Sequence, residues 1–118
     1  KTLGDECYVD DEKYIDMATA LSASGPAYVF LFIEAMIDSG VYLGMSRDMA
    51  RRLVLQTVLG SAELVKQSAK HPAELKDMVT SPAGTTIEAL VSMENDGFRA
   101  AIIDGVRAAY DRSVELGG

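Results

Sequence analysis

Apolar residues recur at helical spacing along almost the whole chain from Asp11 onward. The stretch before it, Lys1 to Asp10, has no such period. Within it Glu6 to Asp10 alternates polar and larger side chains, which suits a short extended lead-in. A first helix is predicted from Asp11 to Ser22: Asp11 and Glu12 favour its start through the helix dipole, and Tyr14, Met17 (or Ala18) and Leu21 form its apolar stripe. Ser24 reads as the cap of a second helix, with Pro26 in its first turn, running to about Leu43. Tyr28, Val29, Phe30, Leu31, Phe32, Ile33, Met36 and Ile37 cover nearly the whole circumference of that helix, and Glu34 and Asp38 share one edge. A helix apolar almost all round must be buried centrally or in a subunit interface.

Gly44 ends the second helix and Ser46 caps a third, from Arg47 to Ala69. Met49, Leu53, Leu55, Val58, Leu59, Ala62 and Val65 mark its expected buried side, and Asp48 and Arg52 have the spacing of an ion pair. His71 and Pro72 break the pattern. A short helix follows from Ala73 to Val79, then a fifth from Thr85 to Glu94. Asn95, Asp96 and Gly97 form a turn. In the last helix Phe98, Ile102, Val106, Tyr110 and Val114 recur at steps of four, opposite Arg107, Asp111 and Glu115. The pattern predicts an all-α fold, a helical bundle of about six helices joined by short loops.

The length of 118 residues suits one domain, and a chain nearly half hydrophobic and one quarter charged has a globular composition. Burying the second helix completely in so short a chain is hard without a partner. The net charge of −7 gives no attraction toward nucleic acid or anionic lipid, so neither is expected as a partner. The most apolar run, Ala27 to Ile33, is too short to span a bilayer, and Glu34 and Asp38 interrupt its continuation. Cys7 is the single cysteine, which rules out an internal disulfide, fits a cytoplasmic setting and reads as a bystander thiol. One histidine, His71, and no carboxylate cluster at ligand spacing leave no metal site and no triad in view. No G-x-G-x-x-G follows a strand, so the main site of any nucleotide cofactor lies outside these residues. Because the sequence starts at Lys1, it reads as a fragment, with residues 1–10 a linker from a preceding domain and 11–118 the helical domain.

Two segments stand out chemically. Between Thr80 and Thr86, four hydroxyls, one proline and one glycine precede a helix start. Free N–H groups and the dipole at such a start attract a carboxylate or phosphate. The same residues serve as ordinary caps at any helix start, so spacing alone leaves both readings open. The second segment, Ser22 to Ala27, is made of small residues that let another group approach closely, or simply join two helices.

Ser22-Ala23-Ser24-Gly25-Pro26-Ala27-Tyr28, followed by Lys76-Asp77-Met78-Val79-Thr80-Ser81-Pro82-Ala83-Gly84-Thr85-Thr86-Ile87-Glu88-Ala89-Leu90, resembles the C-terminal domain of pyrroline-5-carboxylate reductase. Gly97-Phe98-Arg99 and the final helix fit the same pattern, so the resemblance runs from Asp11 to the end. It implies reduction of 1-pyrroline-5-carboxylate to L-proline with NADPH or NADH, in proline synthesis. The cofactor would be bound mainly by an N-terminal Rossmann domain absent from these residues, and the isolated chain would be inactive. It implies an intertwined homodimer, which some members assemble five at a time into a decamer. Carried over by position, the backbone N–H groups of Gly84, Thr85 and Thr86 would hold the substrate carboxylate. Thr86 would offer its hydroxyl to the ring nitrogen as the catalytic residue, and Ser81 would shape the same pocket. Ser24, Gly25 and Pro26 would lie near the nicotinamide. Many members have two glycines after the loop proline where this chain has Ala83 and Gly84, so a positive φ at Ala83 would carry strain. The alternatives are a non-catalytic helical oligomerisation module and a related reductase acting on another small imino or hydroxy acid.

Overall fold

The computed structural model of the chain describes residues 11–117. The linker expected over residues 1–10, and Cys7 within it, lie outside the described residues. Among those described there are six α-helices, one π-helical turn and no strand. The helices are α1 (Glu12–Ala18), α2 (Gly25–Tyr42), α3 (Arg47–Ser68), α4 (Pro72–Met78), α5 (Thr85–Asn95) and α6 (Phe98–Gly117), with the π turn (Thr19–Ala23) between α1 and α2. The all-α expectation holds. The chain divides into two compact units, residues 11–30 with 97–117, and residues 31–96.

In the first unit α6 packs on α1 and on the π turn. Ala20 is buried there, and Ser113 Oγ donates to Asp16 Oδ1 at 2.7 Å, tying α6 to α1. Asp11 caps α1 by accepting from Lys13 N at 2.9 Å. The expected break at Ser24 is absent: Ser24 has helical angles (φ −86°, ψ −22°) and donates its N–H to Thr19 O at 2.9 Å, a five-residue step. Ser24 therefore caps nothing, and the helical run continues from Glu12 to Tyr42. By length and composition alone that 31-residue run is apolar enough to cross a membrane, because the break expected between Ser22 and Ser24 is absent.

The second unit is built on α3 against the later part of α2. Ile37, Ala50 and Val54 form its core, flanked by Ile33, Met36, Met45 and Val58. A Cβ on Gly40 would stand 2.8 Å from Ala50 Cβ, so glycine at 40 is what lets the two helices approach this closely. This contact selects the buried face of α3: Ala50, Val54 and Val58, at steps of four, point inward. Met49, Leu53, Leu55, Leu59 and Val65, expected inside, are exposed. Small residues win the contact because they permit a close crossing.

The turn between these helices follows the expected chemistry. Gly44 takes φ +111°, and Ser46 Oγ accepts from Met49 N at 3.2 Å. Asp38 pairs with Arg47 at 2.9 Å across the turn, and Asp48 with Arg52 at 2.8 Å along α3. Ala69 ends α3 in the left-handed region (φ 57°). His71, which reads as a pattern breaker, caps α4 by accepting from Ala73 N at Nδ1, 3.0 Å.

Four of the described residues are buried, Ala20, Ile37, Ala50 and Val54, all apolar. Of α2 only Ile37 is among them, while Phe30 and Leu31 are each 66% exposed. The chain by itself does not bury its most apolar helix.

Candidate functional site

The segment between α4 and α5 is folded by its own hydrogen bonds. Thr80 N donates to Asp77 O at 3.1 Å and Thr80 Oγ1 to Lys76 O at 2.7 Å, turning the chain back over the last carbonyls of α4. Ser81 to Gly84 is a tight turn closed by Gly84 N donating to Ser81 O at 3.2 Å. Proline at its second position and a positive φ at its third, Ala83 at 57°, mark a type II turn. Type II turns prefer glycine at that third position, so the strain expected at Ala83 is present.

Gly84 then sits at the N-cap of α5 in extended conformation (φ −87°, ψ −177°) and contributes no capping side chain. Among the described residues nothing accepts from the N–H groups of Thr85, Thr86 and Ile87. These donors and the positive end of the dipole point the same way. The hydroxyls of Ser81, Thr85 and Thr86 also make no hydrogen bond to a described residue; Ser81 and Thr85 are exposed and Thr86 is half-buried. The loop hydroxyls thus divide: Thr80 is spent on the turn, and the other three remain available beside free N–H groups. Such a terminus receives a carboxylate or phosphate oxygen with charge-assisted hydrogen bonds. An open groove of about 390 Å³ between α4 and α5 reaches Thr80, Ile87 and Glu94, but none of Ser81, Gly84, Thr85 or Thr86 lines it.

Ser24, Gly25 and Pro26 belong to the first unit, and Ser81, Gly84, Thr85 and Thr86 to the second. Ser24 and Gly25 are half-buried and Pro26 is exposed. A Cβ on Gly25 would meet nothing within 4 Å, so the surface there is open to an incoming group. The hydroxyl of Ser24 makes no hydrogen bond to a described residue. Nearby, Tyr28 Oη donates to Ala20 O at 2.8 Å, a bond that a reading of Tyr28 as part of an apolar face does not reveal. No group of three or more His, Cys, Asp or Glu gathers among the described residues.

The described residues thus form a helical domain in which the start of α5 is uncapped and lies beside hydroxyls that bond to no described residue. Residues 12–116 match the family described as pyrroline-5-carboxylate reductase dimerisation. The chain is 58% identical over 106 residues to pyrroline-5-carboxylate reductase of a Synechocystis strain, covering 90% of this chain and 40% of that protein. With the soybean (Glycine max) enzyme the identity is 55% over the same length, covering 90% and 39%. Among solved structures, the Plasmodium falciparum pyrroline carboxylate reductase with NADP bound superposes with a TM-score of 0.90 at 45% identity, over 94% of this chain and 42% of that one. The chain belongs to the pyrroline-5-carboxylate reductase family, in which it corresponds to the dimerisation region. It spans about two-fifths of the length of the relatives it matches.

Proposed function

We propose that this chain is the dimerisation and substrate-binding part of a reductase that converts 1-pyrroline-5-carboxylate to L-proline. The observation that carries this reading is the uncapped start of α5, with Thr85 and Thr86 N–H unpaired and Ser81, Thr85 and Thr86 hydroxyls beside them. The N–H groups of Gly84, Thr85 and Thr86 are assigned to the substrate carboxylate. The Gly84 N–H now closes the turn onto Ser81 O, so it joins as a shared, weaker donor. Thr86 Oγ1 is assigned to the ring nitrogen, where it orients the imine and holds the proton that nitrogen carries as the C=N bond becomes C–N. Ser81 borders the same pocket.

NADPH or NADH, when bound, would supply a hydride to the imine carbon. One proton and one hydride convert the cyclic imine to the secondary amine, so orientation and a hydrogen bond at nitrogen suffice, with no strong general base. The open surface at Gly25 and the unpaired hydroxyl of Ser24 fit the edge of a flat ring, and Ser24, Gly25 and Pro26 are assigned to the nicotinamide end of NADPH or NADH. The relative solved with NADP bound supports that choice of cofactor.

The working form is an intertwined homodimer. Its support is the match to a dimerisation family and the exposed apolar surface of α2, which a second copy would cover and which accounts for the membrane-like composition of Glu12–Tyr42. We place the protein in the cytoplasm, in keeping with its single cysteine. Product inhibition tests the substrate class. L-proline should compete with 1-pyrroline-5-carboxylate in the full-length protein. Turnover of a different imino acid that L-proline leaves untouched would reassign the pocket.

A further inference from the structure

We infer that Tyr28 is a positioning residue: its hydroxyl locks the π turn and thereby holds Ser24, Gly25 and Pro26 in place. The functional half of this inference rests on the assignment of those three residues to the cofactor.

In an uninterrupted α-helix Ser24 N would donate to Ala20 O, four residues back. Here it donates to Thr19 O, five back, because the π turn inserts one extra residue into the helical run. The carbonyl of Ala20 loses that helical donor. Ala20 is 1% exposed, so this acceptor cannot simply turn to water, and an unmet buried carbonyl is costly. Tyr28 Oη fills the vacancy at 2.8 Å.

The bond spans a weak point in the chain. Residues 22–27 are Ser, Ala, Ser, Gly, Pro and Ala, with no large side chain to pack, and Pro26 has no N–H to give to the helix. Ala27 N reaches back only to Ser24 O, at 3.0 Å. A junction of this composition has little to stop it relaxing into a regular α-helix, which would rotate every following residue by about 100°. Tyr28, directly after the junction, is bonded to Ala20, before it. On the other side α6 packs on the π turn and is itself pinned by the Ser113–Asp16 bond. The π register, and with it the direction in which Ser24 and Gly25 face, is fixed by these contacts.

The test is Tyr28→Phe in the full-length protein, which keeps the ring and removes only the hydroxyl. Amide exchange should accelerate about tenfold in peptides covering residues 19–27 and stay unchanged in those covering α3. The KM for NADPH should rise about fivefold to tenfold, while the KM for the imine and kcat stay within about twofold. A general loss of stability would not split the two KM values in this way. Gly25→Val serves as the companion, placing bulk where the cofactor is assigned. A raised cofactor KM in Gly25→Val with exchange and KM both unchanged in Tyr28→Phe overturns the positioning role alone. An unchanged cofactor KM in Gly25→Val overturns the cofactor assignment, and the functional role of Tyr28 with it.

Discussion

A Cβ added to Gly84 would stand 2.5 Å from Ser81 Oγ and 3.4 Å from the Ser81 carbonyl oxygen. The turn between α4 and α5 therefore folds the Ser81 side chain directly over the N-cap of α5, and the missing side chain of Gly84 makes room for it. Gly84→Ala must drive the Ser81 hydroxyl out of its place and put a methyl group at the mouth of the helix. The expected outcome in the full-length protein is a rise of about tenfold or more in the KM for 1-pyrroline-5-carboxylate, the scale of losing one hydrogen bond to a charged group. Steady-state kinetics beside a thermal melt checks this. An unchanged KM would move the carboxylate elsewhere.

Ala83 and Ala69 both sit at φ 57°. Left-handed geometry costs a residue with a Cβ about 1–2 kcal/mol, and glycine returns part of that through the greater freedom of its unfolded chain. Ala69→Gly and Ala83→Gly should each raise stability by up to about 1 kcal/mol, read as a shift in urea midpoint at constant slope. Lower midpoints in both would show that these turns are not strained.

Gly40→Ala should do the reverse. Its methyl would lie 2.8 Å from Ala50 Cβ, both on helical backbone that cannot yield without separating α2 from α3. Overpacking of this kind costs about 1–3 kcal/mol. The same substitution at Gly60, where a Cβ meets nothing within 4 Å, should instead stabilise slightly through helix propensity. Comparing the two denaturation midpoints isolates the helix crossing from any general intolerance of alanine.

The surface of α2 predicts oligomerisation. Val29, Phe30, Leu31 and Phe32 are consecutive and all exposed, and burying such side chains is worth about 1.5–3 kcal/mol each. Light scattering on the purified chain should return the mass of a dimer or a multiple of it, with unfolding midpoints that rise with protein concentration. A stable, well-folded monomer would contradict the dimer.

The helices were legible because their apolar period, caps and breakers agree. Ser46, Gly44 and the start of α5 at Thr85 fall where the chemistry of helix ends puts them. The π turn was not legible, since one inserted residue leaves the small-residue composition of the junction unchanged and Ser24 before Pro26 is also a common cap sequence. The inward face of α3 is legible only at Val58, for a related reason. Counting large apolar residues picks the broad face of Met49, Leu53 and Leu59. Close helix crossing instead favours the narrow one of Ala50 and Val54, and only the position of Gly40 on the neighbouring helix distinguishes them. At the candidate site the donors were readable as a helix start rich in hydroxyls. That Thr80 is committed to Lys76 O while Ser81, Thr85 and Thr86 are not depends on the turn geometry.

Thr86 and the start of α5 are proposed to hold the imine substrate. The most direct measurement is NAD(P)H oxidation by the full-length protein with 1-pyrroline-5-carboxylate, beside its Thr86→Ala variant. The parent should turn over, and the variant should lose about a hundredfold in kcat/KM with its melting temperature preserved. Equal rates in parent and variant, or no turnover by a folded, cofactor-bound parent, would contradict that proposal.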